Sequence, residues 1–233
     1  MSLATVFYFK NRVKHKYVLT AQQKLHQEEA AKASRAKMKK ISGAELLAQY
    51  ASGKRDFSES DISEADLFEA NLQAIELTGS NLRKTYLPYS NLSQAQLQQT
   101  QLQAAQLSNA QLYQANLSNA DLQEANLFRA ALRGANLQGA NLARVNLQGA
   151  DLCNADLSCA NLSNADLSGA NLQKANLTKA QLSGSNLFRS QNVDLSEAYL
   201  DSSTIYPDGH RLDNLLSGED WCQAAVKDSR WGR

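Results

Sequence analysis

Hydrophobic residues recur along the chain every fifth position from Phe57 to Leu187. Phe57 is followed by Ile62 and then by Leu at every step from Leu67 to Leu187, giving 27 consecutive five-residue units. Most read Ala-(Asn/Asp)-Leu-x-x, as in Ala-Asn-Leu-Gln-Gly at 135–139. Neither regular element can bury such a series. On an α-helix five residues turn about 500°, so successive leucines would sweep round every face. In a flat strand side chains alternate, so an odd period sends successive leucines to opposite faces. The chain must therefore bend once per unit, and the pattern predicts a coil wound around a central axis.

The position two before each Leu agrees with this. It holds 18 Ala, 4 Ser and 2 Thr, with Val145, Ile75 and Arg55 as the exceptions. Small residues there suit a second inward position beside a tight corner. The other three positions are polar and varied, as outward positions should be. Each buried Leu contributes roughly 1.5–3 kcal/mol. After Leu187 and Ser190 the register slips. Leu195, Leu200 and Ile205 resume the period three residues late, which predicts a small bulge or loop near 190–193 and then a partial last coil.

The flanks read differently. Thr5–Phe9 is aromatic and β-branched, and it fits a strand, a small hairpin or the start of a long helix. Thr20 and Gln23 resemble a capping box ahead of good helix formers running to Lys40. The end of that helix is basic (Lys32, Arg35, Lys37, Lys39, Lys40). Ser42 and Glu45 form a second capping box before Leu46, Leu47 and Tyr50, and Gly53 stands where a helix stops. A coil has an open apolar end that must be covered, and residues 43–52 are expected to be that lid. Pro207-Asp-Gly209 ends the coil. Ser217–Lys227 reads as a short helix carrying Trp221 and Val226, either folded over the C-terminal end or joined with Trp231 in a dimer contact.

Composition adds an asymmetry that the net charge of +1 hides. Residues 1–54 carry 11 Lys/Arg against 3 Asp/Glu, residues 55–190 carry 9 against 12, and residues 191–233 carry 4 against 8. A basic head thus precedes a nearly neutral body and an acidic tail. Cys153, Cys159 and Cys222 lack metal-ligand spacing and read as the reduced thiols of a cytoplasmic protein. His15, His26 and His210 have no partner at catalytic or metal spacing. Gly134, Gly139 and Gly149 are corners of the repeat rather than a phosphate loop. No run reaches the roughly 18–20 apolar residues of a membrane span, and Met1–Phe9 lacks the features of a secretory leader. No catalytic residue, cofactor, metal or small-molecule substrate is expected.

The A(D/N)LXX units covering 57–187 resemble the pentapeptide-repeat family, with a cyanobacterial flavour. The resemblance implies an all-β solenoid, a right-handed quadrilateral β-helix with four units per coil, hence about seven coils stacked at ~4.8 Å. The organisation that follows is a basic, partly helical extension over 1–41 and a capping helix with its lead-in over 42–56. The β-helix then spans 57–205, and a tail spans 206–233.

If four units make a coil, residues twenty apart stack. The wall built on Leu67, Leu87, Leu107, Leu127, Leu147, Leu167 and Leu187 then gathers Phe68, Tyr86, Pro88, Tyr89, Phe128 and Phe188, with Arg129 and Arg189. Residues 85–120 carry no charge and add Tyr113 on the next wall. Aromatics and Arg on a polar surface have the composition of binding hot spots. These nine residues are the candidate interaction surface of a non-catalytic scaffolding or regulatory module, monomeric or dimeric, with a protein partner. Two alternatives follow from other features. The family resemblance implies a DNA-mimic, gyrase-binding reading, against which stand the weak net charge, the outward Arg and Lys, and the lack of a projecting loop. The basic head implies recruitment to a membrane or nucleic acid.

Overall fold

The computed structural model describes residues 38–211. The readings placed on 1–37 and 212–233, including the Thr20 capping box and the Trp221 helix, lie outside the described residues. Among the described residues the regular elements are strand β1 (Lys39–Lys40), helix α1 (Gly43–Ala51) and strand β2 (Ser60–Asp61). Beyond them the chain is held by single-residue parallel bridges. Each joins residues twenty apart, from Asp56↔Glu76 continuously to Asn171↔Gln191. Four units therefore complete one coil. This gives four walls, centred on Phe57 (wall 1), Ile62 (wall 2), Leu67 (wall 3) and Leu72 (wall 4).

The corner of each unit is a tight turn. In the unit of Leu67, for example, the N–H of Ala70 donates to the Leu67 carbonyl at 3.1 Å. The second residue after the central one has positive φ in every unit from Glu59 to Arg189, and most of these residues are not glycine. Left-handed backbone costs a non-glycine residue roughly 1–2 kcal/mol. It is held in place by the next coil: the N–H of Arg129 donates to the Gln148 carbonyl at 2.9 Å, and the N–H of Leu127 to the Asn146 carbonyl at 2.8 Å. Inside the corners the leucines and the small residues two before them are buried together in one core. Where that small residue is polar, its hydroxyl finds a carbonyl. Thr85, Ser90 and Thr100 donate to Leu82, Leu87 and Leu97 at 2.7–2.8 Å, which removes the penalty for burying them.

The residue before each Leu explains the Asn/Asp preference of the motif. Its side-chain oxygen accepts from the backbone N–H two residues on, as Asp166 does from Ser168 at 3.0 Å, the Asx-turn arrangement. Its amide, when it is Asn, also reaches the coil before: Asn81 to Asp61 at 2.8 Å, Asn161 to Asn141 at 3.2 Å.

At the N-terminal end Lys39 and Lys40 pair in parallel with Ser60 and Asp61. This corrects the expectation that the helix of the head runs to Lys40: the pull of the open edge of wall 2 outweighs helix propensity there. Ile41 continues the pairing through its N–H to the Asp61 carbonyl at 2.8 Å and is buried. Helix α1 follows. Ser42 caps it by accepting from the Glu45 N–H at 3.2 Å, while the Glu45 carboxylate accepts from the Gln49 amide at 2.9 Å. Leu46 is fully buried and joins the coil core. Tyr50 donates its hydroxyl to the Gln73 carbonyl at 2.7 Å. Gly53, at φ +99°, ends the helix with its N–H on the Tyr50 carbonyl at 3.0 Å.

The other end departs from the expected bulge. Gln191 still pairs with Asn171 twenty residues back, but Tyr199 pairs with Gln181 only eighteen back. A lag of three in a period of five is also a lead of two, and the chain takes the shorter path: the corner after Gln191 loses two residues. Ile205 then bridges Asn186 nineteen back, so Ile205 occupies the outward position before the centre and half-buried Tyr206 takes the centre. This corrects the expectation that Ile205 resumes the inward series. Thr204 fills the small inward position, its hydroxyl on the Leu182 carbonyl at 2.9 Å. The shortened corner leaves a shallow dent of about 200 Å³ between Ala175–Thr178 and Asp194–Glu197.

Candidate interaction surface

The twenty-residue coil fixes where each candidate side chain lies. Phe68, Tyr86, Pro88, Tyr89, Phe128, Arg129, Phe188 and Arg189 all fall on wall 3, and Tyr113 on wall 4. They do not form one continuous face. Phe68 and Tyr86 stack with ring centroids 6.0 Å apart, and Tyr89 meets Phe68 edge-on, also at 6.0 Å. All three are exposed, at 47%, 46% and 56%. The coil carrying Gln106, Ser108 and Asn109 separates this ledge from Phe128. Two further coils separate Phe128 from Phe188. Phe128 lies beneath its neighbour Arg129, whose guanidinium is 5.0 Å from the ring centroid. Phe188 carries Arg189 in the same way at 4.9 Å, and Gly209 approaches its ring so closely that a Cβ would stand 3.3 Å away.

Pro88 is buried rather than outward. It occupies the second position of its turn, where its fixed φ is pre-set for the corner, in the column directly below Phe68 and between Tyr86 and Tyr89. It shapes the ledge without presenting a surface. Tyr113 is exposed at 42%, alone on its wall. The uncharged band is present as expected, and its glutamines interact across coils and within units, as Gln98 does with Gln96 at 2.9 Å.

Sequence reasoning passed over the acidic first coil, of which Asp66 and Glu69 on wall 3 stand beside the ledge. Between Asp56 and Glu76 stand seven Asp/Glu and no Lys, Arg or His. Counting 55–190 as one body averaged that collar away; a window of one coil length would have found it. Asp61 pairs with Lys40 at 3.6 Å and Glu64 with Lys84 at 3.8 Å. Burial pushes the Asp61 carboxyl up, but hydrogen bonds from Ser63 and the nearby Lys40 ammonium together hold it below the usual range. Asp66 and Glu69 flank Phe68, are exposed, and have no ion pair among the described residues. Later coils mix the signs: Arg133 pairs with Asp151 at 3.1 Å and Arg144 with Glu124 at 3.0 Å.

Among the described residues no group of three His, Cys, Asp or Glu is placed to hold a metal ion. Cys153 is buried, Cys159 is exposed, and both are free. No described helix is long and apolar enough to cross a membrane.

Against known proteins, the family model for pentapeptide repeats matches in overlapping stretches over 65–103, 90–127, 120–158 and 155–190. The chain is similar to the crystal structure of HetL, a pentapeptide repeat protein involved in heterocyst differentiation regulation from the cyanobacterium Nostoc sp. strain PCC 7120. The identity is 32% over 73% of this chain and 99% of that one, with a TM-score of 0.31. It is also similar to alr5209, a pentapeptide repeat protein from the same Nostoc, at 28% identity over 71% and 99% of the two chains and a TM-score of 0.28. Full-length QnrB1, a plasmid-mediated fluoroquinolone resistance protein, is 18% identical over 84% and 95%, with a TM-score of 0.33. No curated protein matches.

Proposed function

We propose that this chain, which belongs to the pentapeptide-repeat family, is a non-catalytic protein-interaction module that holds a protein partner on wall 3 of its coil. The observation that carries this reading is the ledge of Phe68, Tyr86 and Tyr89. Three aromatic rings fixed against one another on a rigid wall offer apolar area with little conformational entropy left to lose on binding. The regulatory side of the reading draws support from the likeness to HetL, whose described role is in regulation. On this reading the coil is right-handed, as the family resemblance implies, and helix α1 acts as the lid of its N-terminal end. The free thiols fit a cytoplasmic setting.

The DNA-mimic alternative has weaker support, because Arg133, Arg144, Arg129 and Arg189 break the acidic character of the walls beyond residue 120. The test is partner recovery in a pull-down from source lysate. Tyr89→Ala is expected to lose the partner that the native chain retains, whereas Phe128→Ala, whose ring already lies under Arg129, is expected to keep most of it. Unchanged recovery with Tyr89→Ala would remove wall 3 as the binding face.

A further inference from the structure

Wall 3 contains its own control for the ledge. Phe68, Phe128 and Phe188 occupy the same position of their units, sixty residues apart, hence three coils or roughly 14 Å from one to the next. In two of the three the following residue is Arg, and its guanidinium lies over the ring. In the first that residue is Glu69, so Phe68 has no cation of its own. Its ring is open, backed by Tyr86 and edged by Tyr89. The carboxylates of Asp66 and Glu69, which have no ion pair among the described residues, stand on either side of it.

An aromatic face is electrostatically negative and attracts a cation, Arg most often. A guanidinium is planar, stacks on rings and donates in a fork that matches a carboxylate. Asp66 accepts the Phe68 N–H through one oxygen at 3.1 Å and keeps the other for a ligand, so an uncovered ring between this carboxylate and that of Glu69 is the complement of an arginine side chain. Residues 66–69 and 86–89 of wall 3 carry these two carboxylates and no Lys or Arg, a local charge that attracts a basic segment and repels phosphate-bearing surfaces such as nucleic acid or an anionic membrane.

We propose that the Phe68–Tyr86–Tyr89 ledge receives an arginine from a basic segment of a protein partner. The guanidinium lies over the Phe68 ring and bonds to Asp66 or Glu69, as Arg129 lies over Phe128 within this chain. The proposal rests on the reading of wall 3 as a protein-binding face and names what that face takes.

The experiment uses the full chain and a fluorescein-labelled peptide with three arginines separated by glycines, followed by anisotropy. A peptide with citrulline in place of each arginine keeps the shape and removes the charge. The arginine peptide is expected to bind and to weaken as salt rises, and the citrulline peptide to bind at least about tenfold less. Glu69→Arg should fold, because Arg is accepted at the equivalent positions 129 and 189, and circular dichroism checks this. By covering Phe68 from within, it should weaken the arginine peptide by about tenfold or more. Phe68→Ala should do the same, and Phe128→Ala should change nothing. Equal binding of the two peptides, or wild-type binding by a folded Glu69→Arg, overturns the proposal. If either occurs while Tyr89→Ala still loses the cellular partner, wall 3 remains a binding face and only the arginine assignment fails.

Discussion

The two ends of the coil are finished in opposite ways. At the N-terminal end Ile41 takes the place of an inward leucine, Leu46 presses onto the core, and both are 2% exposed or less. Gly43 sits so close to the first coil that an added Cβ would stand 2.5 Å from the Asp66 carbonyl oxygen. At the other end the corner after Gln191 is shortened, and Leu195, Leu200 and Ala175 are only half-buried. The interior between them is chemically uniform, leucine upon leucine. In a stacked repeat each coil contacts only its neighbours, so differences in stability along such a column come from how its terminal leucines are covered.

The comparison is most directly tested by removing one apolar side chain at each end. Leu46→Ala should cost about 2–5 kcal/mol, as a fully buried Leu does, whereas half-buried Leu195→Ala should cost about 1–2 kcal/mol. Hydrogen exchange locates the effect: Leu46→Ala should expose the amides of 57–76 and leave those of 137–156 protected. Equal costs at the two ends would break the comparison.

A smaller effect, about 1–3 kcal/mol by overpacking, is expected from Gly43→Ala. The atom in its way is backbone, and α1 must lift to make room. Denaturant melts of the full chain measure it, and a neutral result would show that α1 is loosely seated.

The smallest effect belongs to the open end and depends on pH. The Asp201 carboxyl is held below the usual carboxylate range by the Ser203 hydroxyl, against a push upward from burial. The N–H groups of Gly184 and Ser203 and the Thr204 hydroxyl also help to lower it. A depressed carboxyl stabilises the fold above its unfolded pKa, near 3.8, and that contribution is lost as pH falls through the folded value. Asp201→Asn should therefore lower the melting temperature slightly at neutral pH. The difference should close below pH 3.8, and a difference that persists in acid would exclude the carboxylate as its source.

Much of this architecture was readable in the chain because the inward positions tolerate so little. Leu at every fifth residue and Ala two before it demand a coil with both inside, while the number of four units per turn came from the resemblance to the family. The left-handed corner was not readable. It falls on Glu, Arg, Lys, Gln and Asn as readily as on Gly, because its conformation is imposed by the coils on either side. The slip after Ser190 was visible but not its sign, since a period of five cannot tell three late from two early. On the surface, Phe68 and Tyr89 were correctly read as outward. Pro88 was not, because a proline at the second position of a turn looks the same whether or not rings stand over it. The candidate wall broke into three groups because the polar coils between the aromatics occupy space that composition does not register.

The twenty-residue coil also limits how such a chain can grow. Duplicating or deleting a single unit leaves the interior intact, since any unit can stack on any other. Everything downstream, however, would turn by a quarter revolution, and Phe128 and Phe188 would leave the side of the molecule that Phe68 faces. Only changes in multiples of four units keep a surface in phase. The spacing of sixty between these three phenylalanines is of that kind, so lineages can lengthen or shorten this column in whole revolutions without scrambling what it displays.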